Sequence, residues 1–348
     1  MSRLLTYREA VRTALREEMV RDEGVFVYGL DVADHKGAFG TTLGLAGEFG
    51  SGRCFMTPLS EDAMTGFGLG AAINGLRPVH VHQRVDFLVL ALNQLANMLS
   101  TCRYVSNEQL RVPITIRAVI GRGWGQACQH SKSLHSIFAH LPGIAVVMPA
   151  TPADARGLMK AAIRADDPVI VLDHRWLHDV SGEVPETESV VPLGRAEIRR
   201  PGNDFTIIAP SWMNIEALLA ADILARVHGL DTEVIDPRTI TPLDADLLSE
   251  SVNRTGHCLV ADCDWLFCGF SAEVAALVAN RCFDRLRAPI ERLGFAPIPC
   301  PSSRILENRF YPGAEEIIRS IERTLKLEPA ELPVREFYSY ESRFRGPF

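Results

Sequence analysis

The stretch "MTPLSEDAMTGFGLGAAINGLRP", Met56 to Pro78, decides how this chain is read. An acid pair, Glu61-Asp62, stands ahead of a run of small residues: Gly66, Gly68, Gly70, Ala71 and Ala72. A helix of such residues lets another backbone lie close against it. Ser60 or Glu61 then falls at a helix N-terminus, where an acid complements the helix dipole. Two readings follow for Glu61. It caps the helix, or it is a buried acid that shares a proton with a bound heterocycle.

Outward from this stretch, short apolar bursts alternate with amphipathic segments. "VFVYGL" (25–30), "RPVHVHQ" (77–83), "VPITIRAVI" (112–120), "GIAVVMP" (143–149) and "PVIVLDH" (168–174) read as strands, rich in β-branched residues and bounded by Gly or Pro. Helical patterns cover 7–20, 61–75, 88–105 and 152–165. Strands separated by helices of ten or more residues imply parallel crossovers, hence a doubly wound α/β domain. Near 176–200 the chain turns polar, acidic and Pro-containing, and reads as a linker. A second series follows. Strand patterns at 204–211, 231–244, 257–264 and 288–295 alternate with helices at 213–228, 244–253 and 271–285, which predicts a second α/β domain. The expected division is 1–178, a linker at 179–200, a second domain at 201–327, and a Pro-broken aromatic tail at 328–348 that packs on a neighbour or a partner chain.

The net charge of −7 and the absence of a basic patch argue against nucleic acid or an anionic membrane as partner. The first residues lack the apolar core of a signal peptide, and no apolar run reaches the length of a membrane span. None of the eight cysteines forms a C-x-x-C pair. They read as small buried hydrophobes in a reducing compartment, and the expected location is cytoplasmic. No phosphate-binding loop or dinucleotide fingerprint is present.

Three further features are candidates for chemistry. "GWGQACQHSKS" (123–133) is a Gly-rich loop with His130, after a strand, where open α/β sheets bind ligands. "VHVHQRVDF" (79–87) puts His80 and His82 on one strand face. They admit a two-histidine metal site, but no third ligand is placed, and the structural reading is a pair of core or rim histidines. Phe87 could stack on a ring or fill the core. "DPRTITPLD" (236–244) looks structural, with Asp244 as a helix cap.

Six blocks in order make the pattern specific: "LTYREAVRTALREEM", "TPLSEDAMTGFGLGAAINGLRPV", "CQHSKS", "LPGIAVVMPATPADARGLMKAAIRADDPVIVLDH", "VIDPRTITPLDADLLSESVNRTGH" and "PIPCPSSRILE". Together, from Leu5 to about Leu327, they resemble the β chain of the E1 component of 2-oxo acid dehydrogenases, of the pyruvate, branched-chain and acetoin types. The resemblance implies an α/β fold with a pyrimidine-binding, doubly wound parallel-sheet domain followed by a transketolase C-terminal-type domain. It implies an α2β2 assembly in which thiamin diphosphate binds between chains. The α chain would supply the diphosphate and Mg²⁺ site through a GDG motif, which this sequence lacks. Glu61 matches the glutamate that hydrogen-bonds N1′ of the aminopyrimidine and favours its imino tautomer. His130 matches an active-site histidine that assists acyl transfer to lipoamide. Phe87 matches an aromatic that packs against the aminopyrimidine, and Gln83 and Leu59 fall at cofactor-binding positions. The "AIRADDP" turn matches a segment that holds a structural K⁺ in some members, with Asp167 as its acid.

The chain also departs from the pattern it resembles. Gly29-Leu30-Asp31 stands for G-E-D, Val81-His82-Gln83 for Glu-Phe-Met, and Asn93 for an Asp. Those acids line a polar route between two active sites, so their loss puts proton exchange along it in question. The expected function is decarboxylation of a 2-oxo acid with acyl transfer to a lipoyl E2 partner. The alternatives are a two-chain transketolase-like carboligase or acyltransferase that forms a C–C bond, and a non-catalytic subunit that kept the fold.

Overall fold

The computed structural model of the chain describes residues 1–121 and 125–332. Gly123 and Trp124 of the Gly-rich loop, and the tail from 333 onward, lie outside the described residues. The chain divides into two units. The first holds residues 1–121, 133–193 and 239–242. The second, among the described residues, holds 125–132, 194–238 and 243–332.

The first eight strands are β1 (Ser2–Thr6), β2 (Val25–Gly29), β3 (Cys54–Met56), β4 (Arg77–His82), β5 (Thr115–Ile120), β6 (Ala145–Val147), β7 (Val169–His174) and β8 (Ser181–Pro185). The remaining six are β9 (Glu197–Arg200), β10 (Phe205–Ile208), β11 (Thr232–Asp236), β12 (Thr239–Thr241), β13 (Cys258–Trp265) and β14 (Glu291–Phe295). The main sheet of the first unit runs β12-β6-β7-β5-β4-β2-β3, parallel except for β12. All residues of β5 and β7 are buried, as expected of parallel strands covered on both faces. The second unit has the sheet β14-β13-β10-β11-β9, parallel except for β9.

Capping residues start the crossover helices, and the cap expected at Asp244 is among them. Thr6 and Glu9 form a capping box on the helix Tyr7–Arg21. Thr151 caps Pro152–Arg164, with Pro152 in the first turn, and Asp244 caps Ala245–Thr255 through the Leu247 N–H.

The structure differs from expectation in two places. The stretch 179–200, expected as a linker, contains β8 antiparallel to β1 and β9 antiparallel to β11. Both pair on one side only and are largely solvated, so their composition is polar like that of a loop. The helix expected over 88–105 is broken into short turns, including a π-helical stretch at Gln94–Leu99. The Ser100 and Thr101 hydroxyls donate back to the carbonyls of Ala96 and Asn97, at 2.7 and 2.8 Å, and compete with the helical ladder.

One topological fact positions the site. From β2 the chain passes to β3 on one side and then to β4 on the other. The strand order reverses at β2, and ligands bind outside the carboxyl ends of strands at such reversals. The helix Glu61–Ile73 begins at that edge, between β3 and β4.

Candidate active site

Leu30, Thr57, Pro58, Ser60, Glu61, Met64, His80, Val81 and His82 line one cleft at the carboxyl ends of β2, β3 and β4. Gly29 closes β2 with φ +144°, and a Cβ there would stand 2.2 Å from the Val81 carbonyl oxygen. Only glycine lets the two strand ends approach so closely. Glu61 is the first residue of its helix and is half-buried. Its neighbour Asp62 accepts from the Gln94 amide at 3.2 Å, whereas the Glu61 carboxylate makes no hydrogen bond or ion pair among the described residues. Of the acid pair, Glu61 is therefore the one left for a ligand.

The helix behind it is pressed onto the sheet. A Cβ on Gly68 would stand 2.1 Å from Tyr28 Oη and 2.7 Å from Ile114 Cδ1. Tyr28 Oη donates to the Met64 carbonyl at 2.9 Å. On the same helix Gly70 has nothing within 4 Å of an added Cβ, and Phe67 is 46% exposed. The small residues thus face two ways, some into this chain and some outward.

The two strand histidines form a hydrogen-bonded pair. His82 Nε2 lies 3.2 Å from His80 Nδ1, and Thr65 Oγ1 lies 3.4 Å from that same atom. Burial holds His82 down at about 4 and, together with His82, holds His80 well below the ordinary histidine range. Both rings are neutral at pH 7. Sequence alternation placed them on one face; the Thr65 contact and the stacking of Tyr28 on the His80 ring, centroids 4.5 Å apart, come from distant positions and were not legible.

The other expected residues fall as follows. Leu59 is exposed two residues before Glu61. The Gln83 amide donates to the Leu30 carbonyl and to Asp31 Oδ2, each at 3.1 Å, and its buried Oε1 has no partner among the described residues. Phe87 sits half-buried in the turn Val85–Leu88. His130 is half-buried after the turn Ala127–Gln129 and belongs to the second unit. Asp167 is paired with Arg103 at 2.5 Å. Arg77 donates to the Ile163 and Ala165 carbonyls at 3.1 and 2.8 Å, so a guanidinium already meets carbonyls of the "AIRADDP" turn.

A buried polar network unforeseen from the sequence joins β5 and β7. Arg117 Nη2 donates to Asp173 Oδ2 at 2.6 Å, Arg117 Nη1 donates to Thr41 Oγ1 at 2.8 Å, and His178 Nε2 meets Asp173 Oδ2 at 2.5 Å. Burial pushes the Asp173 carboxyl up, but Arg117 and His178 outweigh it and hold it below its usual range. Burial takes His178 down to about 4, more than Asp173 pulls it up.

The comparisons with known proteins agree on a family. The description "transketolase, pyrimidine binding domain" matches residues 3–179, and "transketolase, C-terminal domain" matches residues 194–317. The chain is 39% identical to the 2-oxoisovalerate dehydrogenase subunit beta of Bacillus subtilis, over 90% of this chain and 96% of that protein. This chain belongs to the E1 beta-subunit family. It is also 39% identical to the pyruvate dehydrogenase E1 component subunit beta of Rickettsia felis, over 92% of this chain and 98% of that protein. The acetoin:2,6-dichlorophenolindophenol oxidoreductase subunit beta of Bacillus subtilis is 37% identical, over 95% and 99%. Among solved structures, a split gene transketolase, an inactive beta4 tetramer, matches with a TM-score of 0.72 over 93% of this chain and 99% of that one. At 23% identity that likeness bears on the fold alone. The resemblance read from six sequence blocks is thus borne out, as is the transketolase-type two-domain α/β fold. Thiamin diphosphate is the cofactor expected of this family, and a beta subunit implies an alpha-type partner.

The residues present fit one edge of that cofactor. Among the described residues the Glu61 carboxylate has no partner in the cleft it shares with Leu30, Val81 and Met64, and the buried amide oxygen of Gln83, one residue past β4, has none either. The cleft holds about 20 Å³, room for about one water rather than a ring. Among the described residues no single helix is long and apolar enough to cross a membrane.

Proposed function

We propose that this chain is the beta subunit of a two-chain E1-type enzyme that decarboxylates a 2-oxo acid and passes the acyl group to a lipoyl acceptor. The observation that carries the reading is Glu61, a helix-leading carboxylate at the sheet's order reversal that has no partner among the described residues. Thiamin diphosphate, when bound, supplies the carbon nucleophile and the electron sink for decarboxylation. Glu61 would hold a proton at N1′ of the pyrimidine. In a site screened from water such a hydrogen bond is strong and oriented, so one acid biases the tautomer of the ring. Leu59 and Phe87 would give apolar contact to that ring, and Gln83 would offer its free amide oxygen. His130 would hold or release a proton during transfer to the lipoyl group. The diphosphate and Mg²⁺ fall to the alpha-type chain in an α2β2 assembly, which agrees with the lack of a GDG motif here. A K⁺ ion at Asp167 would compete with Arg103 for the carboxylate, and we give it no part in the reaction.

The relatives named above are dehydrogenase or oxidoreductase subunits, which favours this reading over C–C bond formation. A single-turnover assay tests it. The chain is co-expressed with an alpha-type chain and supplied with thiamin diphosphate, Mg²⁺ and a panel of carboxyl-labelled 2-oxo acids, with and without lipoamide. Labelled CO₂ and acyl-lipoamide are expected, and Glu61→Gln abolishes both. Transfer only to an aldehyde or ketone would replace this reading with a carboligase. No CO₂ from any acid would refute it.

A further inference from the structure

The His80–His82 pair has no role in the reading above. The two residues are 3% and 5% exposed, and each is held by named contacts. His80 lies flat on Tyr28, with ring centroids 4.5 Å apart and planes 8° apart. Tyr28 is fixed in turn by its bond to the Met64 carbonyl. Thr65, one helical turn beyond Glu61, closes on His80 Nδ1 from the helix side. His82 is bound through Nε2 to that same His80 atom and lines the cleft together with Glu61. Its second nitrogen, Nδ1, makes no hydrogen bond among the described residues.

A merely space-filling role would be served at lower cost by two apolar side chains. Buried polar groups without partners are destabilising, and most proteins avoid them. Here one ring nitrogen of His82 is satisfied inside the protein, the other has no partner among the described residues, and the residue lines the cleft that holds the Glu61 carboxylate.

Resting on the reading of Glu61 given above, we infer that His82 is a positioning residue of the cofactor site, its Nδ1 hydrogen-bonding a nitrogen of the pyrimidine seated against Glu61. His80 and Thr65 fix the ring for this task. The neutral pair has two arrangements of the proton between its rings. When His82 Nε2–H donates to His80 Nδ1, His82 Nδ1 is an acceptor. When His80 Nδ1–H donates to His82 Nε2, His82 Nδ1 carries a proton and is a donor. An aminopyrimidine changes between amino and imino forms, in which N1′ turns from acceptor to donor and the exocyclic nitrogen, which only donates in the amino form, also becomes an acceptor. A neighbour with two tautomers can match either form, which a fixed carbonyl or amide N–H cannot.

The test uses the assembled alpha–beta protein with thiamin diphosphate as the probe. Two quantities are read besides turnover: the dissociation constant by calorimetry, and the midpoint pH of the amino–imino conversion of the bound cofactor by near-ultraviolet circular dichroism. His82→Phe keeps a ring of similar shape without the nitrogen. It should weaken binding about tenfold, the effect of one hydrogen bond of about 1.4 kcal/mol, and move the midpoint by about one pH unit. His82→Gln, whose amide offers both a donor and an acceptor, should return affinity to within about threefold of the parent. If Phe prevents assembly, His82→Leu removes the same hydrogen bond in less volume. Binding within twofold and an unmoved midpoint in His82→Phe or His82→Leu would overturn the inference and leave the role of Glu61 standing. A parent assembly that binds no thiamin diphosphate, or a Glu61→Gln variant with an unchanged imino signal, would overturn the reading of Glu61 and this inference with it.

Discussion

Asp173→Asn is the most informative single change in the scaffold. Arg117 and Asp173 are 0% and 1% exposed, so water screens neither charge. The substitution keeps size and shape, and the amide oxygen can still accept from Arg117 or His178. What it removes is the negative charge, leaving the Arg117 guanidinium buried with the Thr41 hydroxyl and a neutral amide as its hydrogen-bond partners among the described residues. Breaking a buried pair in this way costs about 3–5 kcal/mol. The retained hydrogen bonds place the expected loss near the lower end, about 3 kcal/mol, measured as the change in unfolding free energy from guanidinium titration followed by circular dichroism. Adding Arg117→Met removes the stranded charge, and a buried pair replaced on both sides by neutral groups is often close to neutral. The double variant should therefore recover about 2 kcal/mol of the loss. A single substitution that costs under about 1 kcal/mol, or a second one that adds its own loss, would refute the account of this network as a coupled buried ion pair.

Two glycines on one helix should behave oppositely. Gly68→Ala drives a methyl into Tyr28 and Ile114 and should lower stability by about 1–3 kcal/mol, whereas Gly70→Ala, which meets nothing within 4 Å, should raise the unfolding midpoint of the isolated chain slightly. Equal thermal shifts in the two variants would contradict the packing described. The buried histidines give a pH window. His82 and His178 sit near 4 when folded, below the usual 6.5, so the unfolded chain binds more protons between those values. Stability is fully present above about 6.5 and is lost as pH falls towards about 4, by up to about 1.4 kcal/mol per unit for each ring. Guanidinium midpoints at pH 7 and pH 5 check this, and identical values would exclude it. His178→Phe should flatten the dependence.

The parallel strands were legible because burial on both faces writes a run of β-branched residues, as in "PVIVLDH" and "VFVYGL". The Asp244 cap was legible because it is a local signal, and Thr6 with Glu9 and Thr151 with Pro152 are signals of the same local kind. Edge strands were not: β8 and β9 spend their side chains on solvent and read as linker. The helix at 88–105 carried the right period, but hydroxyls of Ser100 and Thr101 bond back along the chain, which periodicity does not register. At the site, Glu61 was visible because it precedes an unusual small-residue run. The partners of the histidine pair and the Arg117–Asp173–His178 network were not, since each joins positions far apart in the chain and no local pattern announces them.

The outward side of the helix Glu61–Ile73 has a further consequence for how the protein is made. Phe67 and Ile73 remain exposed on the same helix as Gly70, which has empty space over it. Such a surface is a liability for as long as nothing covers it, because apolar patches of this kind promote association in proportion to concentration. Copies synthesised in excess of their partner would aggregate or be degraded, and the amount of working enzyme in a cell would be set by whichever chain is scarcer. Matched synthesis of the two chains is thus a requirement imposed by one face of one helix.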